Sequence, residues 1–180
     1  IFRIPFRAEW GGQLLALGPY ENDALRAVIH FLKYRSARSA LKPIGLWIKN
    51  YLDGLRAQDW LARDVLIVPI PLHPARLRER GFNQAQLITE ILSKELNLPL
   101  EAKGLKRTRH TEAQMAIKDR EKRKTNVKDC FAADKEAFAG RHVLLVDDVY
   151  TSGATIKEAA SALRHAGAKN IDVFVLAKAS

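Results

Sequence analysis

The sequence predicts an α/β domain built on a mainly parallel, twisted sheet flanked by helices, and three observations carry that prediction. Val65-Leu66-Ile67-Val68, Val143-Leu144-Leu145-Val146 and Ile171–Leu176 are short, continuous apolar runs rich in β-branched residues, as in strands buried on both faces. Two segments of helical period accompany them: Ala85, Ile88, Ile91, Leu92 and Leu96 within Gln84–Leu98, and Ile156, Ala159, Ala160 and Leu163 before a helix stop at Gly167. Strand alternating with helix is the order from which parallel sheets are wound.

The first 60 residues read as a helical N-terminal segment packed on that domain, which occupies 61–180. Leu25, Val28, Ile29 and Leu32 make one amphipathic stripe, and Leu41, Ile44, Ile48, Tyr51, Leu52 and Leu55 make another. Ile1–Tyr20 reads as irregular, with Gly11-Gly12 and Gly18-Pro19 as turns. Residues 101–128 carry ten basic side chains against four acidic ones, and their large apolar residues are Leu105, Met115, Ile117 and Val127. Such a stretch builds little core, so it is expected to be an exposed basic loop with room for one solvated helix.

With 180 residues, 47% apolar and 28% charged, the chain suits one domain with a full core and is neither fibrous nor disordered in composition. Thirty Lys and Arg against 20 Asp and Glu leave a net charge of +10, which favours phosphorylated ligands, nucleic acid or an acidic membrane surface. The single cysteine, Cys130, excludes an internal disulfide framework and is expected to be a buried, inert thiol. Five scattered histidines lack metal-ligand spacing, so a metal held mainly by side chains is not expected. No apolar run approaches the roughly 20 residues of a membrane span, and no signal-peptide pattern opens the chain, so a soluble, cytoplasmic protein is expected.

The sharpest chemical signal follows the second strand: Asp147-Asp148-Val149-Tyr150-Thr151-Ser152-Gly153-Ala154-Thr155. Ligands of parallel sheets bind beyond the carboxyl ends of the strands. Here that end delivers two carboxylates, then a tight loop with three hydroxyls and a glycine, then a helix start. The free N–H groups of a helix N-terminus suit a phosphate. Carboxylates beside it cannot bind phosphate, but they accept hydrogen bonds from vicinal hydroxyls. Phosphate beside a diol describes a ribose 5-phosphate. A second strand-to-helix turn, Val68-Pro69-Ile70-Pro71-Leu72, leads into Arg76, Arg78, Arg80, Gly81, Phe82, Asn83 and Gln84, whose guanidinium groups suit a diphosphate.

Four apolar residues, two acids, two variable positions and Thr-Ser-Gly-x-Thr resemble the 5-phosphoribosyl 1-diphosphate (PRPP) motif of the phosphoribosyltransferases. The strings Pro69-Ile70-Pro71-Leu72, Arg80-Gly81-Phe82-Asn83-Gln84, Arg107-Thr108-Arg109-His110-Thr111-Glu112-Ala113-Gln114 and Leu32-Lys33-Tyr34 resemble the ComF (competence protein F) family within that superfamily. The resemblance runs from about Tyr20 to the C-terminus. It implies a type I phosphoribosyltransferase fold and a role in natural competence and DNA uptake, or in nucleotide scavenging. Members commonly carry a four-cysteine zinc segment before the Leu-Lys-Tyr element; its cysteines do not occur here, so no zinc is expected in this chain.

Two functional readings follow. As an enzyme, the chain would bind the ribose hydroxyls through Asp147 and Asp148, and the 5-phosphate through Thr151, Ser152, Gly153, Ala154 and Thr155. Arg80 would face the pyrophosphate, with Mg²⁺ bound through that group, and Arg107 or Arg109 would complete the charge clamp at the catalytic centre. As a binding module, it would keep PRPP as a regulator and guide single-stranded DNA to a DNA-uptake helicase. Its basic loop would then meet phosphates, with Tyr34, Phe82, Trp10 or Trp47 stacking on bases. A purely structural role at a membrane surface gives no reason for the acidic pair.

Overall fold

The computed structural model describes residues 6–7, 10–33, 37–56, 65–109 and 129–179. In chain order its elements are β1 (Phe6–Arg7), β2 (Gln13–Pro19), α1 (Asp23–Leu32), α2 (Ala37–Arg56), β3 (Val65–Pro69), α3 (Pro74–Arg80), α4 (Gln84–Leu96), β4 (Leu105–Arg107), β5 (Phe131–Ala133), α5 (Lys135–Phe138), β6 (His142–Tyr150), α6 (Ala154–His165) and β7 (Asn170–Lys178). The main sheet has the order β1-β2-β7-β6-β3, while β4 and β5 form a separate antiparallel pair. Within the main sheet only β1 is antiparallel to its neighbour. The α/β class expected from the sequence is therefore the one observed.

Successive side chains of a strand point to opposite faces, and that alternation divides the core. Val143 and Leu145 of β6, with Val173 and Val175 of β7, meet Ile156, Ala159, Ala160 and Leu163 of α6. Leu144 and Val146, with Phe174 and Leu176, meet the stripes of α1, α2 and α4 on the opposite face. Ile29, Leu32, Ile44 and Ile48, two of them from each N-terminal helix, are completely buried there. The helices end where local chemistry predicts. Asn22 and Asn83 cap α1 and α4 through their side chains. Gly167 follows α6 with φ at +91°, a conformation glycine adopts without penalty.

Four expectations are corrected. Ile1–Tyr20 contains the strand Gln13–Pro19, which pairs in parallel with β7 and buries Leu14, Leu15 and Ala16. Leucine and alanine have little intrinsic strand preference; pairing with a central strand overrides it. The basic segment is not wholly a loop, since Leu105–Arg107 is a strand with Leu105 buried, paired to Phe131–Ala133. Residues 110–128, including the rest of the expected basic loop, lie outside the described residues. The arginine-bearing turn contains the helix α3, with Pro74 in its first turn and His73 accepting from the Ala75 N–H at 3.2 Å. Finally, Trp10 is 4% exposed, its ring 6.1 Å from that of Tyr150, so it cannot stack on bases. Trp47 and Phe82 pack partly buried on the α1, α2 and α4 side, and Tyr34 lies outside the described residues.

Cys130 is fully buried, and burial pushes its thiol above the ordinary range. Gly12 is buried against β7, where a Cβ would collide with the Ile171 carbonyl. Gly12→Ala should lower stability by about 1–3 kcal/mol, the usual range for overpacking, read as a lower urea midpoint at unchanged slope.

Candidate functional site

Three chain segments converge at the carboxyl edge of the sheet. β6 runs on to Tyr150, so Asp147 and Asp148 stand on the strand, as the sequence predicts, and the strand continues two residues beyond them. Asp147 is opposite Val175 and Tyr150 opposite Lys178 in the β7 register. Beyond β6 the chain turns through Thr151-Ser152-Gly153 into α6. Gly153 adopts φ +73°, and no side chain caps the helix. A Cβ at Gly153 would strike the Tyr150 ring, so only glycine fits both the conformation and the contact. The third segment follows β3: Ile70, Leu72, α3, and then the start of α4, which Asn83 ties down by donating to the Ile70 carbonyl at 2.9 Å.

These segments surround a cavity of about 320 Å³. Its wall includes Asp147, Asp148, Thr151, Gly153 and Thr155 from the β6–α6 turn, together with Arg76, Arg80, Asn83 and Gln84. Arg107 enters from β4, and Tyr20 and Lys33 from the N-terminal segment. Of the residues singled out from the sequence, Ser152, Ala154 and Arg109 do not line it. Ser152 accepts from the Ala154 N–H at 3.4 Å, and Arg109 is exposed.

The charge distribution is bipartite. Asp147 lies well above the ordinary carboxylate range, first because of burial and then because of the neighbouring Asp148 carboxylate. The Asp148 N–H, donated to Asp147 Oδ1 at 2.9 Å, and the Arg107 cation oppose that shift. Arg107 is lowered from its ordinary value chiefly by burial, and the nearby Arg76 cation adds to the effect. Its guanidinium lies 5.4 Å from the Phe131 ring centroid, a cation–π distance. Guanidinium groups within electrostatic reach of each other repel, and a bound polyanion relieves that repulsion. The wall thus offers donors for phosphate groups, a helix start without a side-chain cap, and two carboxylates suited to hydroxyls.

Sequence reasoning named Arg76 only as one of three guanidinium groups suited to a diphosphate and Lys33 and Gln84 only within the family strings, and it missed Tyr20. Arg76 and Arg80 are four residues apart on α3 and so share a face, whereas Arg78 is exposed. That periodicity was legible once the helix was known. Tyr20 and Lys33 arrive through the packing of β2 and α1, which no local pattern announces.

A cavity lined by these donors and carboxylates, on the carboxyl edge of a parallel sheet, is suited to a phosphorylated ligand. Residues 83–180 match the phosphoribosyl transferase domain family model. The chain is 40% identical over 115 residues to competence protein F of Haemophilus influenzae, covering 63% of this chain and 50% of that protein. It is 34% identical over 160 residues to the DNA utilization protein YhgH of Escherichia coli K12, covering 86% of this chain and 67% of that one. Among solved structures, the glutamine PRPP amidotransferase from B. subtilis aligns with a TM-score of 0.45 at 21% identity, over 71% of this chain and 25% of that one. The chain belongs to the ComF family of the phosphoribosyltransferase superfamily. It spans half the length of the Haemophilus protein. Among the described residues no helix is long and apolar enough to cross a membrane.

Proposed function

We propose that the cavity binds PRPP and that the chain acts as a phosphoribosyltransferase-like protein in the handling of DNA or its nucleotides. The observation that supports this most is the convergence on one cavity of Asp147 and Asp148, the Thr151–Thr155 turn, and the guanidinium groups of Arg76, Arg80 and Arg107. In this reading the two carboxylates accept from the ribose hydroxyls. The 5-phosphate meets the N–H groups at the start of α6 with the hydroxyls of Thr151 and Thr155. The diphosphate meets the arginines. Ser152 and Ala154 shape the turn, and Arg109 lies outside the cavity wall.

Magnesium fits this donor set as a companion of the diphosphate. It keeps to phosphate oxygens and water with one or two carboxylates, and two carboxylates line the cavity. Bound there, it would neutralise charge on the departing pyrophosphate. The chain's own part in a transfer reaction is to hold the sugar still and to place Arg107, Arg76 and Arg80 where leaving-group charge develops. Arg107 is the catalytic candidate among them.

The names of the relatives, competence protein F and DNA utilization protein, together with the +10 charge, favour a second layer to the same reading: a DNA-linked role with single-stranded DNA and an uptake helicase as partners. Calorimetry tests the two layers separately. PRPP with Mg²⁺ should bind stoichiometrically, whereas ribose without phosphates should give no heat. Single-stranded DNA should bind with an affinity that falls steeply as salt rises. Absence of PRPP binding removes the first layer, and salt-independent or absent DNA binding removes the second.

A further inference from the structure

Gln84 opens α4 and lines the cavity, yet it is only 5% exposed. Among the described residues its carboxamide oxygen is buried and accepts no hydrogen bond. Its neighbours are otherwise provided for. Asn83 accepts from the Ala85 N–H at 3.1 Å and donates to the Ile70 carbonyl at 2.9 Å. Thr89, one helical turn on, is fully buried and donates to the Ala85 carbonyl at 2.6 Å. A buried amide oxygen without a donor destabilises a fold, and an apolar residue of the same volume would avoid that cost. The polar oxygen therefore calls for a donor that arrives with something bound.

The chemistry of the cavity narrows that donor. Lys33, Arg76, Arg80 and Arg107 can only donate, and they suit the ligand's phosphate oxygens. Ionised phosphate groups bring acceptors and no donors. The donors that accompany a phosphoribosyl diphosphate are O–H groups, from the sugar or from water on its metal ion. We propose that Gln84 is a ligand-binding residue whose carboxamide oxygen accepts a hydrogen bond from an O–H carried in with PRPP, a ribosyl hydroxyl or a magnesium-bound water. This assignment rests on the reading of the cavity as a PRPP site and adds to it a neutral acceptor beyond the acidic pair.

Gln84→Met keeps the volume and removes the acceptor. The wild-type chain and the variant are titrated calorimetrically with PRPP alone and with PRPP plus Mg²⁺, and the ligand-free proteins are melted. The variant should melt at the wild-type temperature or above it, because a buried polar group without a partner has gone. Its PRPP affinity should fall about tenfold, the loss of roughly one hydrogen bond. A loss in both titrations assigns the donor to a ribosyl hydroxyl, and a loss confined to the magnesium titration assigns it to coordinated water. Unchanged affinity in both, or a lowered melting temperature, overturns the assignment while leaving the PRPP reading intact. A wild-type chain that binds no PRPP in either titration sinks the cavity reading itself and the Gln84 role with it.

Discussion

Replacing Asp147 and Asp148 together by asparagine should abolish PRPP binding and leave the domain folded. Both carboxylates line the cavity, and the cation that acts on Asp147, Arg107, lines it as well, so the pair belongs to the cavity rather than to the core. Charge-assisted hydrogen bonds to two hydroxyls are worth about 3 kcal/mol or more together, which is at least a hundredfold in affinity. The fold should gain instead. Asp147 holds its proton more tightly in the folded chain than in the unfolded one, so its contribution to stability is complete below the ordinary carboxylate value of 3.8. That contribution is lost as pH rises from there through the elevated folded value. Asparagine at this position removes the loss, and the variant should melt higher than the wild type at neutral pH, with a flatter stability–pH profile above 3.8. A variant that binds PRPP with wild-type affinity would refute the site, and one that melts lower at neutral pH would refute the electrostatic account.

The second large effect separates two arginines that the sequence could not rank. Arg107→Ala should weaken PRPP about ten- to hundredfold, the range for one charge-assisted hydrogen bond to a phosphate. Arg109→Ala should stay within about twofold, because an exposed cation outside the cavity wall contributes little to a bound ligand. Calorimetry with PRPP and Mg²⁺ reads both variants. Melting curves accompany the first, since Arg107 also covers the Phe131 ring. Equal losses at the two positions would mean that the charge clamp is diffuse rather than seated at β4.

Where a strand is buried on both faces, its composition announces it, and β3, the first half of β6, and β7 were all legible on that ground. β2 was hidden, because Gln13-Leu14-Leu15-Ala16-Leu17 is extended only through its partner β7. The tail of β6 was hidden for the same reason. Val149-Tyr150 reads as the start of the turn after the acidic pair, but the ladder to β7 continues as far as Lys178. At the candidate site, the Thr151–Thr155 turn and the acidic pair were contiguous and so readable. Lys33, Tyr20 and Arg107 reach the same cavity from separate elements, and only tertiary packing brings them together. Gln84 looked like an ordinary polar opening to a helix; its burial made it conspicuous.

Among the described strands β4 and β5 pair with each other and not with the main sheet, so Arg107 and the aspartates reach the cavity on two separate ladders, joined through the packing of Leu105 and Phe131 into the core. Asp147 stands in the ladder between β6 and β7, whereas Arg107 is paired with Phe131 in its own short ribbon. In the PRPP reading proposed above, the groups for the sugar and the cation for the diphosphate are thus held by different sheets, and a substitution that loosens one ladder leaves the backbone pairing of the other closed.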